Sequence, residues 1–244
     1  MKKNWRIVPI LLCVLALFQS SFLLPKQNFK VLQGSWKYVS GSTEEILLFT
    51  DGYCSHTAFS RETKKFLFTR GGTYEHKKNR LEVAIEFNST LPDEVGNKKT
   101  YNCSLTAKEL VSDINGNVIT WSRIDDGSGL LNGNWQITGR KNGEEIVPMN
   151  PGPRKTVKLL TGARFQWIAI NTLTKEFFGT GGGNYRFESG KYTELIEFFS
   201  RDSSRVGATL TFDGKVEGTK WTHQGSSSRG EPIHEIWERK NPVD

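Results

Sequence analysis

One composite sequence pattern occurs twice in this 244-residue chain and constrains its fold more than any other feature. The pattern reads Gly-x-Trp, Gly-Gly-x-Tyr, Ile-Glu-Phe-x-Ser and Trp-x-Arg. The copies are Gly34-Ser35-Trp36, Gly71-Gly72-Thr73-Tyr74, Ile85-Glu86-Phe87-Asn88-Ser89 and Trp121-Ser122-Arg123, then Gly133-Asn134-Trp135, Gly182-Gly183-Asn184-Tyr185, Ile196-Glu197-Phe198-Phe199-Ser200 and Trp237-Glu238-Arg239. In the middle of the pattern, the copies are offset by 111 residues. Because solenoid units span only about 20–50 residues, each copy is predicted to be a whole domain.

The N-terminus has the composition of a secretory signal peptide. A basic start is followed by the apolar run from Ile7 to Phe18 and by small polar residues. This run is shorter than the roughly 20 apolar residues that cross a bilayer, so a retained membrane anchor is the weaker alternative. We therefore predict a signal peptide over residues 1–21, and a secreted, periplasmic or cell-envelope location.

The charge of the chain gives little support to nucleic-acid binding. Removal of Lys2, Lys3 and Arg6 with the leader lowers the formal net charge from +7 to +4. Basic residues do not cluster with aromatic ones, as they do in nucleic-acid-binding domains. The predicted domains are a first repeat over 30–124, a polar, flexible linker over 125–130 and a second repeat over 131–241.

Each repeat is predicted to be all-β, because short β-rich runs alternate with turn signals. The second repeat gives eight predicted strands, at 132–140, 155–162, 164–171, 176–187, 191–200, 206–213, 215–223 and 232–239. Eight antiparallel strands can close into a small barrel. Alternate connections are tight, at Thr161-Gly162-Ala163, Glu188-Ser189-Gly190 and Asp213-Gly214, and the others are longer. This alternation predicts an up-and-down barrel with short turns at one end and long loops at the other.

The two repeats together resemble tandem lipocalin-like (calycin) domains. Lipocalins carry Gly-x-Trp on the first strand and an arginine near the end of the last, and the arginine packs over the tryptophan at the closed end. The matching pairs are Trp36 with Arg123 and Trp135 with Arg239. A guanidinium over an indole contributes about 0.5–2 kcal/mol. The Gly-Gly-x-Tyr and Ile-Glu-Phe-x-Ser elements resemble those of uncharacterised secreted or membrane lipocalin-like proteins of Gram-negative bacteria. The resemblance implies a barrel interior that holds a small apolar ligand, and it implies no particular activity.

Strand alternation suggests which side chains face the barrel interior. In the fifth strand of the second repeat, Tyr192, Glu194, Ile196 and Phe198 share one face, and the first repeat has Val83 at the position of Glu194. An inward carboxylate is either a polar anchor for a ligand or is satisfied by a partner inside the barrel. The candidate ligand-binding residues are Trp167, Tyr185, Tyr192, Glu194, His223, Arg205 and His56. His56 replaces Trp167 in the first repeat, and a satisfied core histidine is the more frequent role of such a residue.

The remaining chemistry-bearing residues give no catalytic or metal-binding pattern. The histidines lack partners at metal-ligand spacing, and no serine lies in a Gly-x-Ser-x-Gly nucleophile motif. We therefore predict no metal, no cofactor and no enzymatic activity. Cys54 and Cys103 are the two cysteines after the leader, and both a disulfide and two separate buried thiols are compatible with the sequence.

Two functions follow from these patterns. The first is a secreted protein that binds a small, mostly apolar ligand inside a barrel, with the second barrel favoured. The alternative is an envelope-associated protein-interaction module with filled barrels, in which loops such as 148–153 and 225–232 contact an envelope or cell-surface protein. The sequence leaves the oligomeric state and the relative orientation of the barrels open.

Overall fold

The computed structural model describes residues 32–143, 145–149 and 152–240. The predicted signal peptide and its alternative, a retained anchor, lie outside these residues. Within the part of the chain that is described, no helix has the length and apolar character needed to cross a membrane.

The first repeat forms a closed antiparallel barrel, as predicted. Its strands are β1 (Gly34–Ser40), β2 (Thr43–Thr50), β3 (Tyr53–Ser60), β4 (Phe66–Lys77), β5 (Arg80–Asn88), β6 (Lys98–Leu105), β7 (Glu109–Ser112) and β8 (Ile119–Asp125). Each strand pairs with the next, and β8 returns to pair with β1, where Trp36 lies opposite Arg123. Closure removes the free sheet edges that would otherwise invite aggregation.

The second repeat forms a second eight-stranded barrel with one added strand. Its strands are β9 (Gly133–Asn142), β10 (Glu145–Pro148), β11 (Arg154–Leu160), β12 (Arg164–Asn171), β13 (Glu176–Glu188), β14 (Lys191–Phe199), β15 (Thr209–Glu217), β16 (Lys220–Ser226) and β17 (Pro232–Arg239). The barrel closes by pairing of β17 with β9, and β10 extends the sheet as a short hairpin on β9. All-β architecture and tandem eight-stranded barrels are thus confirmed.

The alternation of short and long connections is also confirmed, with one turn in a different place. The predicted turn at Asp213-Gly214 was wrong, because both residues lie inside the ladder between β15 and β16. The hairpin turns instead at Gly218, whose φ of 60° lies in the left-handed region. Gly214 is explained by packing, since a Cβ there would lie 3.0 Å from Cε2 of Phe187.

The Gly-Gly elements form β-bulges. The register between β4 and β5 shifts between Gly71 and Gly72, and the same shift occurs at Gly182 and Gly183. A Cβ on Gly183 would lie 2.0 Å from the Leu195 carbonyl oxygen, so no other residue fits this close approach.

Each bulge reverses the order in which the side chains of its strand point into and out of the barrel. In β5 and β14 the bulges leave Glu86 and Glu197 without a partner in the ladder register. Phe87 and Phe198 therefore pack in a cluster shared by the two barrels. The prediction that Phe198 shares the inward face of Glu194 was wrong for this reason.

The barrels pack against each other through equivalent surfaces. Their shared apolar cluster contains Ile46, Leu48, Tyr53, Phe59, Phe87, Val157, Leu159, Ile168, Ile170 and Phe198. At its polar centre, Ser55 Oγ donates to Gln166 Oε1 over 2.7 Å, and these two residues occupy the same position in the two repeats. Gln166 Nε2 donates over 3.0 Å to both Thr69 and Thr180, which are also equivalent. The interface is therefore close to two-fold symmetric.

Charged groups add further contacts across the interface. Arg239 Nε lies 2.7 Å from Asp51 Oδ2, and Lys155 Nζ lies 2.7 Å from Glu86 Oε2. The Asp125 carboxylate, where the linker was predicted to begin, accepts hydrogen bonds from the tight turn after β11: from Thr161 Oγ1, the Gly162 amide and the Ala163 amide. These contacts fix the start of the connection between the barrels.

Candidate ligand cavity in the second barrel

The closed end of each barrel is built around the tryptophan of the Gly-x-Trp element. Trp36 Nε1 donates to the Leu32 carbonyl over 3.0 Å, and Trp135 Nε1 donates to the Leu131 carbonyl over 2.8 Å. The guanidinium of Arg123 lies 3.9 Å from the Trp36 ring centroid, which confirms the predicted cation–π contact in the first barrel.

Arg239 lies opposite Trp135 in the ladder, and it has a partner that the sequence did not indicate. Its Nε and Nη2 lie 2.7 and 3.0 Å from the two carboxylate oxygens of Asp51 in the other barrel. This bidentate pair raises the pKa of Arg239. In the second barrel the closing arginine therefore also joins the two domains.

The interiors of the two barrels differ in free volume. The second contains a cavity of about 320 Å³ that is open at one end, whereas the void between Phe49, His56 and Val83 in the described part of the first measures about 10 Å³. The larger volume falls within the range of small-molecule sites, which starts at about 300 Å³. Apolar lining side chains include Trp167, Ala169, Ile196, Phe199, Leu210 and Ile233.

A buried ion pair lies in the wall of this cavity. Lys158 Nζ is 2.6 Å from Glu194 Oε1, and the two side chains are only 5% and 6% exposed. The prediction that Glu194 faces inward is confirmed, and its partner is the lysine on β11. Because desolvation of two charges is costly, such a pair is stable only with good geometry and further compensation.

Aromatic rings supply part of that compensation. The Lys158 ammonium lies 4.8 Å from the centroid of the Tyr192 ring and 5.2 Å from that of Trp221. The rings of Phe165 and Trp237 lie at 5.5 and 5.6 Å. All four distances are within the roughly 6 Å over which a ring face attracts a cation. The ammonium is thus held between one carboxylate and four rings.

A histidine and a second carboxylate lie beside this pair. His223 Nε2 is 2.9 Å from Glu235 Oε2, and Trp237 Nε1 is 3.2 Å from the same oxygen. Burial lowers the pKa of His223, so the imidazole is neutral at pH 7. Burial opposes ionisation of Glu235, but the hydrogen bond from His223 and nearby cations outweigh it and lower the pKa of this carboxyl. Trp237 Nε1 also lies 3.2 Å from His223 Nε2. Because a carboxylate is the stronger acceptor, we assign the proton of the neutral imidazole to Nε2, where it is donated to Glu235, and the indole N–H to the same carboxylate.

Polar groups surround the open end of the cavity. Arg140 Nη2 lies 3.2 Å from Glu235 Oε1. Arg205, in the connection before β15, pairs with Asp202 and donates through Nη1 to the Ser228 carbonyl in the connection before β17. Ser228 is itself a lining residue. Arg205 thus joins two long loops at the rim.

The structure brings some of the predicted ligand residues together and separates others. Trp167, Glu194 and His223 line the cavity, and Tyr192 packs fully buried beneath the Lys158 ammonium. Tyr185 lies apart from the cavity lining, at the closed end, where it donates to the Thr161 carbonyl over 2.6 Å.

His56 also does not belong to the cavity, since it lies in the first barrel. Its Nε2 is 2.7 Å from Glu45 Oε2, and its ring packs edge-on against Trp121 and Phe68. It is a core histidine with a carboxylate partner at Nε2, and its buried Nδ1 has no partner among the described residues.

Sequence reasoning missed Lys158, Glu235 and Trp237 as lining residues. By the offset of 111 residues, Lys158 occupies the position that Leu47 has in the first repeat. Leu110 pairs with Trp121 in the first barrel, and Trp221 pairs with Trp237 in the second. Because Trp121 and Trp237 are equivalent, Leu110 and Trp221 are equivalent as well. Position by position, the first barrel has Leu47, Val83, Leu110, Ser112 and Ile119 where the second has Lys158, Glu194, Trp221, His223 and Glu235. The replacement of an inward leucine by a lysine in the second repeat could have indicated that Lys158 belongs to the site.

The two cysteines among the described residues are separate thiols in the first barrel. Cys54 and Cys103 are both free and buried. Burial raises the pKa of the Cys54 thiol to about 12 and that of the Cys103 thiol to about 11. Of the two arrangements compatible with the sequence, the structure shows the unlinked one.

Among residues 32–143, 145–149 and 152–240, no group of three or more His, Cys, Asp or Glu side chains is arranged to hold a metal ion. The lining groups of the cavity offer hydrogen bonding, charge and apolar surface for non-covalent binding.

Comparison with known proteins adds no assignment. No protein-family model matches the chain, and no curated protein matches it.

Proposed function

We propose that this protein is an exported, lipocalin-like binding protein that holds a small, mostly apolar molecule in its second barrel. The observation that carries the proposal is the cavity of about 320 Å³ in that barrel, beside an equivalent barrel whose void is about 10 Å³. The interior of such a barrel can be packed with side chains, as the buried Leu47, His56 and Trp121 of the first barrel show. Retention of a cavity with convergent polar groups is typical of a binding site.

The lining of the cavity supports a ligand with a large apolar part. Trp167, Phe199 and Leu210 give it broad apolar surface. Burial of ligand surface against such walls contributes about 25 cal/mol for each Å² removed from water. The buried polar groups are few and would orient the ligand.

Native mass spectrometry after purification from the native host tests this proposal. The wild-type protein is expected to carry a small-molecule adduct that denaturation releases. Ala169→Phe places a ring in the cavity and is expected to abolish the adduct, whereas Ala107→Phe on an exposed turn of the first barrel is the matched control. An adduct of equal occupancy in both variants would show that the molecule binds elsewhere and would refute the proposal.

One observation favours the alternative of a protein-interaction module. Ile146, Val147 and Met149 are 59%, 47% and 39% exposed on and beside β10, the strand added at the side of the second barrel. Exposed apolar side chains grouped in this way are frequent in protein contacts. If this alternative holds, Ile146→Ser and Val147→Ser abolish binding to a partner protein, and Ala169→Phe leaves that binding unchanged.

A further inference from the structure

We propose that the ligand of the second barrel is an uncharged amphiphile whose polar head, an alcohol or amide that donates a hydrogen bond, lies beside His223. This inference rests on the proposed function and adds the chemical class of the ligand. It excludes fatty-acid anions and alkylammonium cations of the same length as preferred ligands.

The first argument is the charge balance of the cavity wall. Its cations, Lys158 and Arg140, are each paired with a carboxylate, Glu194 and Glu235 respectively. A ligand with a net charge would either leave a buried charge without a partner or break the Lys158 pair. Both outcomes are unfavourable at the Lys158–Glu194 pair, whose side chains are buried.

The second argument is an acceptor without a partner. His223 lines the cavity and is only 2% exposed, and its Nε2 is engaged by Glu235. Its Nδ1 is buried and has no hydrogen-bond partner among the residues that the structure describes. With the proton on Nε2, Nδ1 presents a lone pair. A ligand hydroxyl or amide N–H satisfies it, and a buried acceptor left unsatisfied is costly.

The third argument is the arrangement of the walls along the barrel axis. Lys158 pairs in register with Trp135 of the closed end, whereas Thr156 and Ala169 pair with each other further toward the long loops. Trp167, Phe199 and Leu210 supply apolar surface in the same cavity. A head beside His223 therefore directs an apolar chain along these side chains toward the rim.

The volume limits the length of this chain. About 320 Å³ lies near the lower end of the range of small-molecule sites, which favours an amphiphile with a short chain. A medium-chain alcohol such as 1-octanol is the appropriate probe.

Four probes with the same chain test the head group directly: 1-octanol, methyl octyl ether, octanoate and octylamine. Binding is followed at pH 7.5 by fluorescence of the cavity tryptophans and by calorimetry. We expect 1-octanol to bind at least tenfold more tightly than octanoate and octylammonium, because only the alcohol preserves the charge balance. We also expect it to bind about tenfold more tightly than the ether, which lacks a donor.

His223→Phe is expected to lower octanol affinity to that of the ether while leaving ether binding within about twofold. A loss through misfolding would weaken both ligands, so the ratio of the two affinities separates the hydrogen bond from stability. His56→Phe is the matched control, because His56 has the same carboxylate pairing in the other barrel. It is expected to change neither affinity.

Equal or tighter binding of octanoate or octylammonium would overturn this inference and leave the proposed function intact. Retention of the alcohol-to-ether ratio in His223→Phe would also overturn it. If none of the four probes binds while native mass spectrometry shows an adduct, the ligand class is wrong. If no probe binds and no adduct is found, the proposed function fails as well.

Discussion

The two barrels of this protein share a fold and differ in what fills them. In the first, the five positions that correspond to the polar network hold Leu47, Val83, Leu110, Ser112 and Ile119, and little interior volume remains. In the second, the same positions hold a lysine, two glutamates, a histidine and a tryptophan, and a cavity of about 320 Å³ lies beside them. The features common to both copies, such as the closing tryptophan and the glycine bulge, determine the barrel. The features that differ determine the candidate site.

The largest expected effect comes from breaking the buried ion pair. Glu194→Val copies the first barrel at one position and leaves the Lys158 ammonium buried without its carboxylate, so we expect a loss of about 3–5 kcal/mol in the free energy of unfolding. The double variant Lys158→Leu with Glu194→Val copies both positions and is expected to recover most of that loss. Urea denaturation of the three proteins measures the comparison. If the double variant is no more stable than Glu194→Val, the loss does not come from the unpaired Lys158 ammonium alone.

Phenylalanine at equivalent alanines tests the difference in packing. Ala58→Phe is expected to cost about 1–3 kcal/mol, because Ala58 is buried in the packed interior of the first barrel. Ala169→Phe is expected to cost less, since the ring enters the cavity. Thermal and urea unfolding give both values. Equal losses would contradict the difference in free volume.

The symmetric interface provides a test of how strongly the barrels are coupled. Gln166→Leu removes an amide that hydrogen-bonds Ser55, Thr57, Thr69 and Thr180. Loss of these bonds in a buried site is expected to cost about 1–3 kcal/mol. Gln224→Leu on an exposed strand position is the control and should change stability little. A single cooperative unfolding transition in the wild type that splits into two in Gln166→Leu would show that the interface couples the domains.

The paired histidines predict how stability depends on pH. Burial lowers the pKa of both His56 and His223, so the folded protein keeps them neutral while the unfolded chain takes up protons below about pH 6.5. The free energy of unfolding should therefore fall as the pH decreases from 7 to 5, by at most about 1.4 kcal/mol per pH unit for each histidine. His56→Phe and His223→Phe should each reduce this slope. A slope unchanged in both variants would show that other groups are responsible.

The smallest effect concerns the thiols, which lie only in the first barrel. A protein that begins at residue 22 contains Cys54 and Cys103 as its only cysteines. Their raised pKa values and burial predict very slow reaction with a disulfide reagent in the native state and reaction of both thiols in urea without reductant. Spectrophotometric thiol titration measures this. If no thiol reacts in urea, the two cysteines form a disulfide.

Much of the barrel architecture could be predicted from the sequence because it depends on local and repeated signals. Alternating strands, tight turns and a pattern repeated at a constant offset indicate the same topology in both copies. The turn at Asp213-Gly214 failed because an Asp-Gly pair is a local turn signal, whereas Gly214 is required by the ring of Phe187 from another strand. The inward position of Phe198 failed because one bulge reverses alternation in the remainder of a strand.

The candidate site was predicted only in part. Glu194, Trp167 and His223 could be assigned to the interior from alternation, and these three line the cavity. Lys158 was not predicted to line the cavity although the first repeat has Leu47 at this position. The sequence does not show that Glu194, on another strand, is close enough to pair with the lysine. The position of Tyr185 at the closed end could not be predicted, because alternation gives the face of a strand and not the depth along the barrel axis.

The sequence by itself determined the repeat, the strand order and the closing tryptophans, since these depend on periodicity and on turn residues close together in the chain. Only the tertiary structure decided that the barrels pack face to face through Ser55 and Gln166 and that Arg239 bridges to Asp51. It also decided that a cavity of about 320 Å³ lies in the second barrel. These properties depend on side chains from strands far apart in the sequence, and their contacts and volumes are defined only when the barrels close.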